Sequence, residues 1–103
     1  MFTTILFLLL TYPVDAYQVD LTIINQHPCP VVVELWGYDN VKWRSVKIPS
    51  GNRKRIIGSC DWSNLKIIVK GDCIDQRVHE TKKNIIRGKI GYVSTRGKVT
   101  LKP

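Results

Sequence analysis

The side chains with the most chemistry to offer in this 103-residue chain are three cysteines, Cys29, Cys60 and Cys73, and two histidines, His27 and His79. In an oxidising compartment an odd cysteine count leaves one thiol free or paired with another chain. His27 stands two residues before Cys29, which suggests a base beside a nucleophile. The prolines at 28 and 30 hold that stretch extended, and a cysteine committed to a disulfide has no thiolate to offer. His79 is followed by Glu80, but neighbours on a strand point to opposite faces. A metal site needs a denser cluster of His, Cys or carboxylate ligands than the sequence contains. Glycine-rich phosphate loops and paired-carboxylate signatures are missing, as is any Asn-x-Ser/Thr sequon. The chain reads as non-enzymatic, with no catalytic residues, no metal and no cofactor.

The compartment follows from residues 1–16, MFTTILFLLLTYPVDA. Ile5 to Leu10 is an unbroken apolar run, and Val14 and Ala16 are small residues at the −3 and −1 positions of a signal-peptidase site. A bilayer span needs about 20 apolar residues, and Thr11 to Asp15 ends the run too early. Residues 1–16 are therefore expected to be a cleaved signal peptide and residues 17–103 one secreted, extracellular domain. Disulfides persist in that environment, and a domain this small gains much from a covalent staple.

The 16 Lys and Arg residues against 8 Asp and Glu give a formal charge of +8. No Lys or Arg precedes Lys42. Such a balance attracts polyanions: anionic lipid headgroups, sulfated glycans or nucleic acid. It also serves simply as a solvated, solubilising surface. Export makes nucleic acid an unsuitable physiological target.

The elements that must position these groups are strands. Tyr17 to Ile24 alternates, with Val19, Leu21 and Ile23 on one face and Gln18, Asp20 and Thr22 on the other. Asn25 to Pro30 is a turn containing two prolines. Val31 to Tyr38 and Val41 to Ile48 read as the second and third strands, with Val41, Trp43 and Ser45 opposing Lys42, Arg44 and Val46. After the Pro49-Ser50-Gly51-Asn52 turn comes a short strand over Arg53 to Ile57. Leu65 to Val69 is the most apolar strand and is expected to be central. Lys89 to Ser94 and Lys98 to Lys102 suggest a C-terminal hairpin around Thr95-Arg96-Gly97, with Gly97 suited to positive φ. Ile74 to Asn84 is the least patterned stretch and has room for one short helix. Turn signals at intervals of about 8 to 12 residues without helical periodicity predict an all-β fold, a small antiparallel sandwich of about seven short strands.

Strand polarity then sorts the cysteines. If consecutive strands alternate in direction, the turns after the first, third and fifth share one end of the sandwich. Cys29 lies in the first of these turns and Cys73 in the last, whereas Cys60 lies after the fourth strand, at the other end. A strand of six or seven residues spans roughly 20 Å, and a disulfide needs Cα atoms within about 7 Å. Cys29–Cys73 is the expected bridge. Cys60 is then either a half-buried small apolar side chain beside Trp62 or the link to Cys60 of a second chain, making a homodimer.

Six cations, Lys42, Arg44 and Lys47 on the third strand and Arg53, Lys54 and Arg55 on the fourth, would form one anion-binding patch if those strands make a hairpin. Trp36, Trp43 and Trp62 read first as core, with an amphipathic rim to that patch as the alternative. The same cations are alternatively edge protection against strand addition, and Arg53-Lys54-Arg55 is alternatively a processing site.

Several segments together resemble the nematode transthyretin-like proteins. Cys29, Pro30 and Val31 to Trp36 match that family's cysteine, proline and alternating strand ending in Leu and an aromatic. Gly51, Arg53 to Ile57 and Gly58 match its glycine-flanked short strand. Leu65 to Cys73 matches its apolar strand running into an acidic residue and cysteine. Lys82-Lys83, Asn84 to Arg87, Gly88 and Lys89 to Tyr92 keep its closing spacing. The chain lacks the family's acidic insertion after the second strand, a histidine before the second cysteine and a further cysteine pair, so it resembles a shortened, divergent member. The resemblance implies a transthyretin (prealbumin)-like sandwich. It also implies an extracellular binding, adaptor or effector module, since some relatives recognise surface lipids such as phosphatidylserine and others act as secreted parasite effectors. The motifs of the family's hydrolase cousins are missing, because the chain ends Thr100-Leu101-Lys102-Pro103. The expected partner is an anionic cell-surface ligand or an extracellular protein, with peripheral membrane contact. A cationic, membrane-active defence protein is the alternative.

Overall fold

The computed structural model describes residues 17–38, 40–74 and 85–103. Residues 1–16, expected to be a signal peptide, together with His79-Glu80, Lys82-Lys83 and nearly all of the stretch expected to hold a short helix, lie outside the described residues. The described residues form eight strands: β1 (Tyr17–Asn25), β2 (Val31–Trp36), β3 (Lys42–Ile48), β4 (Arg53–Cys60), β5 (Asn64–Lys70), β6 (Ile85–Arg87), β7 (Ile90–Ser94) and β8 (Arg96–Lys102). They form two four-stranded sheets, β4-β1-β8-β6 and β3-β2-β5-β7. The count exceeds the expected seven because the three-residue β6 is too short to leave a periodic signal.

Alternation decides which face is buried. Val19, Leu21 and Ile23 of β1, Val31, Val33 and Leu35 of β2, and Leu65, Ile67 and Val69 of β5 are all buried. Ile56, Ile86, Val99 and Leu101 complete the core from the first sheet. Each fully buried aliphatic side chain contributes about 1.5–3 kcal/mol. As expected, β5 is interior, between β2 and β7.

Two expected hairpins do not form. β3 pairs with β2 in one sheet and β4 with β1 in the other. Asn25, fully buried at the end of β1, captures the intervening turn. Its Nδ2 donates to the carbonyls of Cys29 (3.0 Å), Ile48 (3.1 Å) and Pro49 (3.3 Å). Its backbone NH donates to Asn52 O at 2.9 Å and its carbonyl accepts from Gly51 N at 3.0 Å. Gly51 takes φ +76°, open to glycine at no steric cost. Clamped in this way, the chain leaves the turn already paired to β1, with Ile24 opposite Arg53.

Likewise β7 pairs with β5 while β8 lies parallel to both β1 and β6. The sandwich is thus mostly, not wholly, antiparallel. Buried Thr95 marks the crossing. Its carbonyl accepts from Asp20 N at 3.0 Å and its NH donates to Ser63 O at 3.3 Å, one bond to each sheet side. Gly97 has φ +131°, the positive value expected at that position.

Cys29 and Cys73 form the expected disulfide, with Cα atoms 6.1 Å apart and a sequence separation of 44. Gly71 packs against it: an added Cβ would stand 2.9 Å from Pro30 O and 3.4 Å from Cys29 Sγ. Cys60, at the far end, is the last residue of β4 instead of following it. It is 6% exposed, and its thiol donates to Trp62 O at 3.2 Å. The Trp62 ring in turn lies so close over Gly37 that any Cβ there would collide with it.

Two outcomes follow from this packing. Replacing Cys29 and Cys73 together by Ser removes a closed loop worth about 4 kcal/mol, read as a lower urea midpoint with a steeper slope, since the unlinked denatured chain exposes more surface. The Cys60 thiol reacts with iodoacetamide only slowly in the native protein and fully in denaturant; fast native labelling would show that it is exposed.

Candidate functional site

Outward positions of the first sheet are the alternates of its buried residues. On β4 these are Arg53, Arg55, Ile57 and Ser59, and on β1 Gln18, Asp20, Thr22 and Ile24. On β8 they are Arg96, Lys98, Thr100 and Lys102, and on β6 Ile85 and Arg87. The register sets Ile57, Asp20 and Arg96 in one row, Arg55, Thr22 and Lys98 in the next, and Arg53, Ile24, Thr100 and Ile85 in a third. Lys102 and Arg87 close the face. Six cations therefore share one face with a single carboxylate, Asp20.

Asp20 organises this face. Its carboxylate accepts from Arg55 Nε and Nη2, both at 2.9 Å. The Arg55 fork holds the Asp20 carboxyl below its usual range, and the carboxylate in turn raises the guanidinium. Both groups are solvent-exposed, so the pair orients more than it stabilises. The third guanidinium nitrogen, Nη1, has no partner among the described residues. Asp20, Thr22, Arg55, Arg96, Gly97 and Lys98 line a shallow, open depression. Strands lie about 4.8 Å apart and alternate residues about 6.8 Å along. The β4 and β8 cations therefore form two rails about 10 Å apart, on either side of β1.

The six cations singled out from the sequence do not form one patch on a hairpin. Arg53, Lys54 and Arg55 belong to the first sheet, while Lys42, Arg44 and Lys47 belong to the second. Lys42 stands 3.6 Å from Glu34 and over the Trp36 ring, 5.6 Å from its centroid. Arg44 serves the fold. A register shift between Leu35 and Trp36 puts Trp43 in a bulge of β3, and bulges re-aim side chains. Trp43 Nε1 donates to Ser59 O at 3.0 Å and Arg44 Nη1 to Ile57 O at 3.2 Å. The guanidinium stacks on the Trp43 ring at 4.4 Å. These bonds use carbonyls that β4, as an edge strand, leaves unpaired, and they close the gap between the sheets.

The tryptophans divide as well. Trp43 and Trp62 pack against the core. Trp36 lies on the outer face of the second sheet and donates to Glu34 Oε1 at 3.2 Å. Glu34 is buried beneath it and bonds Lys70 Nζ at 3.1 Å, which keeps its carboxyl below the usual range despite burial.

Sequence reasoning missed Arg87, Arg96, Lys98 and Lys102 as site residues. They reach Arg53 and Arg55 only through the parallel β1–β8 ladder, whose partners lie about 75 residues apart. Only the alternation of cations along β8 hinted at a shared face.

His27 and Cys29 form no catalytic pair, since Cys29 is oxidised. His27 is 3% exposed, its two ring nitrogens have no hydrogen-bond partner among the described residues, and burial lowers its pKa. Its backbone NH donates to Asn25 Oδ1 at 2.9 Å and its carbonyl accepts from Ser50 Oγ at 2.7 Å. Among the described residues there is no group of three or more His, Cys, Asp or Glu side chains able to hold a metal. No family model, curated protein or solved structure matches the chain.

A depressed histidine stabilises the fold only while neutral. Its contribution is complete above the ordinary value near 6.5 and is lost as pH falls from there toward the folded value. The melting temperature therefore drops between pH 7 and 5, and His27→Phe flattens that slope. An equal slope in both proteins would assign the effect elsewhere.

Proposed function

We propose that the protein is a secreted, non-enzymatic binding module whose basic outer face on the first sheet holds sulfated glycan chains. The observation that carries this reading is the pair of cationic rails flanking β1, Arg53 and Arg55 on one side and Arg96 and Lys98 on the other. A linear polyanion lying along β1 meets a cation every 7 Å or so on both sides. Arginine forks match sulfate geometry, and Thr22 and Thr100 supply hydroxyls for sugar oxygens. Lipid headgroups share the anionic chemistry, but the outward residues of this face include no aromatic to sit at a membrane interface. The antiparallel disulfide-stapled sandwich suits an extracellular setting. The transthyretin-like reading rests on the segment pattern around Cys29, Gly51 and Cys73.

A second reading, a membrane-active cationic defence protein, draws on the outer face of the second sheet. There Trp36 and Tyr92, the latter 62% exposed, lie among lysines.

Affinity for a heparin-derived octasaccharide decides between them. Arg96→Glu with Lys98→Glu weakens binding at least tenfold and flattens its salt dependence, and desulfated octasaccharide binds neither protein. Unchanged affinity would remove the first sheet's face from consideration. Stronger binding to phosphatidylserine vesicles, with release of a trapped dye, would favour the membrane-active reading.

A further inference from the structure

We infer that the outer face of the second sheet is a second binding face for the same class of ligand, so that one chain holds two sulfated glycan chains at once. This rests on the sulfated-glycan reading of the first face.

The register carries the inference. Trp36 pairs with Lys42 on one side and Lys66 on the other, and Lys66 pairs with Tyr92. One row across the sheet therefore reads Lys42, Trp36, Lys66, Tyr92: cation, aromatic, cation, aromatic. At about 4.8 Å per strand the row is roughly 15 Å long. A sulfated sugar chain matches the open half of this row, because the C–H face of a pyranose packs on the exposed Tyr92 ring and its sulfates reach Lys66 beside it, while Lys42 lies over the Trp36 ring and adds its charge to that side. Tyr92 is among the most exposed large apolar residues of the described chain. Lys47 and Lys70 flank Val32 at the other end of the same face.

The acidic group on this face does not oppose such a ligand. Glu34 is covered by Lys42 and Lys70 and bonded by the Trp36 indole. It plays the part that Asp20 plays on the first face: one carboxylate, held ionised, that fixes the cations around it. The two faces are the outer sides of one two-layer sandwich, so ligands on them do not compete for space. The chains run differently, along β1 on the first face and across the strands on the second.

Native mass spectrometry with a heparin-derived tetrasaccharide counts the sites. The wild-type protein takes two, and Lys66→Glu takes one, as does Arg96→Glu with Lys98→Glu. Tyr92→Ser, which leaves the charge unchanged and alters an exposed side chain, weakens the second site at least fivefold. Lys66→Gln serves as the milder variant if Lys66→Glu fails to fold, and it too weakens that site. One tetrasaccharide on the wild type that is lost in Arg96→Glu with Lys98→Glu, or two bound with unchanged affinity in Lys66→Glu and Tyr92→Ser, would overturn the second face and leave the first standing. No binding by the wild type would overturn both.

Discussion

The parallel ladder between β1 and β8 is the constraint on which the rest of the molecule depends. Parallel neighbours cannot be joined by a tight turn. Between them the chain must therefore build the other sheet and return. That requirement explains why both short connections, at 49–52 and at Thr95, switch sheets instead of folding back. It also makes β1 an interior strand, with β4 on one side and β8 on the other. The basic face is a direct product: β4 and β8 carry the cations, and only β1 between them brings the two sets into register.

The two ends of the sandwich are held by different chemistry. At one end the Asn25 amide draws the carbonyls of Cys29, Ile48 and Pro49 together beside the disulfide. A side-chain amide is suited to this role, because it donates and accepts at once; its Oδ1 accepts from His27. At the other end the described residues form no disulfide, and Cys60, Trp62 and Gly37 close the core by packing and by the bond from the Cys60 thiol to Trp62 O. His27 fits this contrast. Its imidazole is buried with no hydrogen bond among the described residues, a cost that the rigid end with its disulfide can carry.

What was legible in the sequence was local. Val19, Leu21 and Ile23 announced the buried face of β1 because alternation is a property of each strand alone. Cys29–Cys73 was legible because it needs only strand direction, not sheet membership. Sheet membership was not legible. Lys42 to Ile48 and Arg53 to Cys60 look like a hairpin around Gly51, and only the buried Asn25, distant in sequence, diverts the turn. For the same reason the site was half seen. Arg53 and Arg55 were read correctly as surface cations, but their true neighbours Arg96 and Lys98 become neighbours through long-range pairing. Arg44 was misread because a charged residue at a bulge carries no mark of what its side chain will reach.

The bonds from Trp43 and Arg44 to the β4 carbonyls have a consequence for self-association. β3 and β4 are the outer strands on one flank of the sandwich, and the Trp43 and Arg44 side chains of β3 cover carbonyls on the open side of β4. A strand edge whose outward carbonyls are already bonded offers a neighbouring molecule less to pair with. β4 thus carries its own guard against edge-to-edge aggregation.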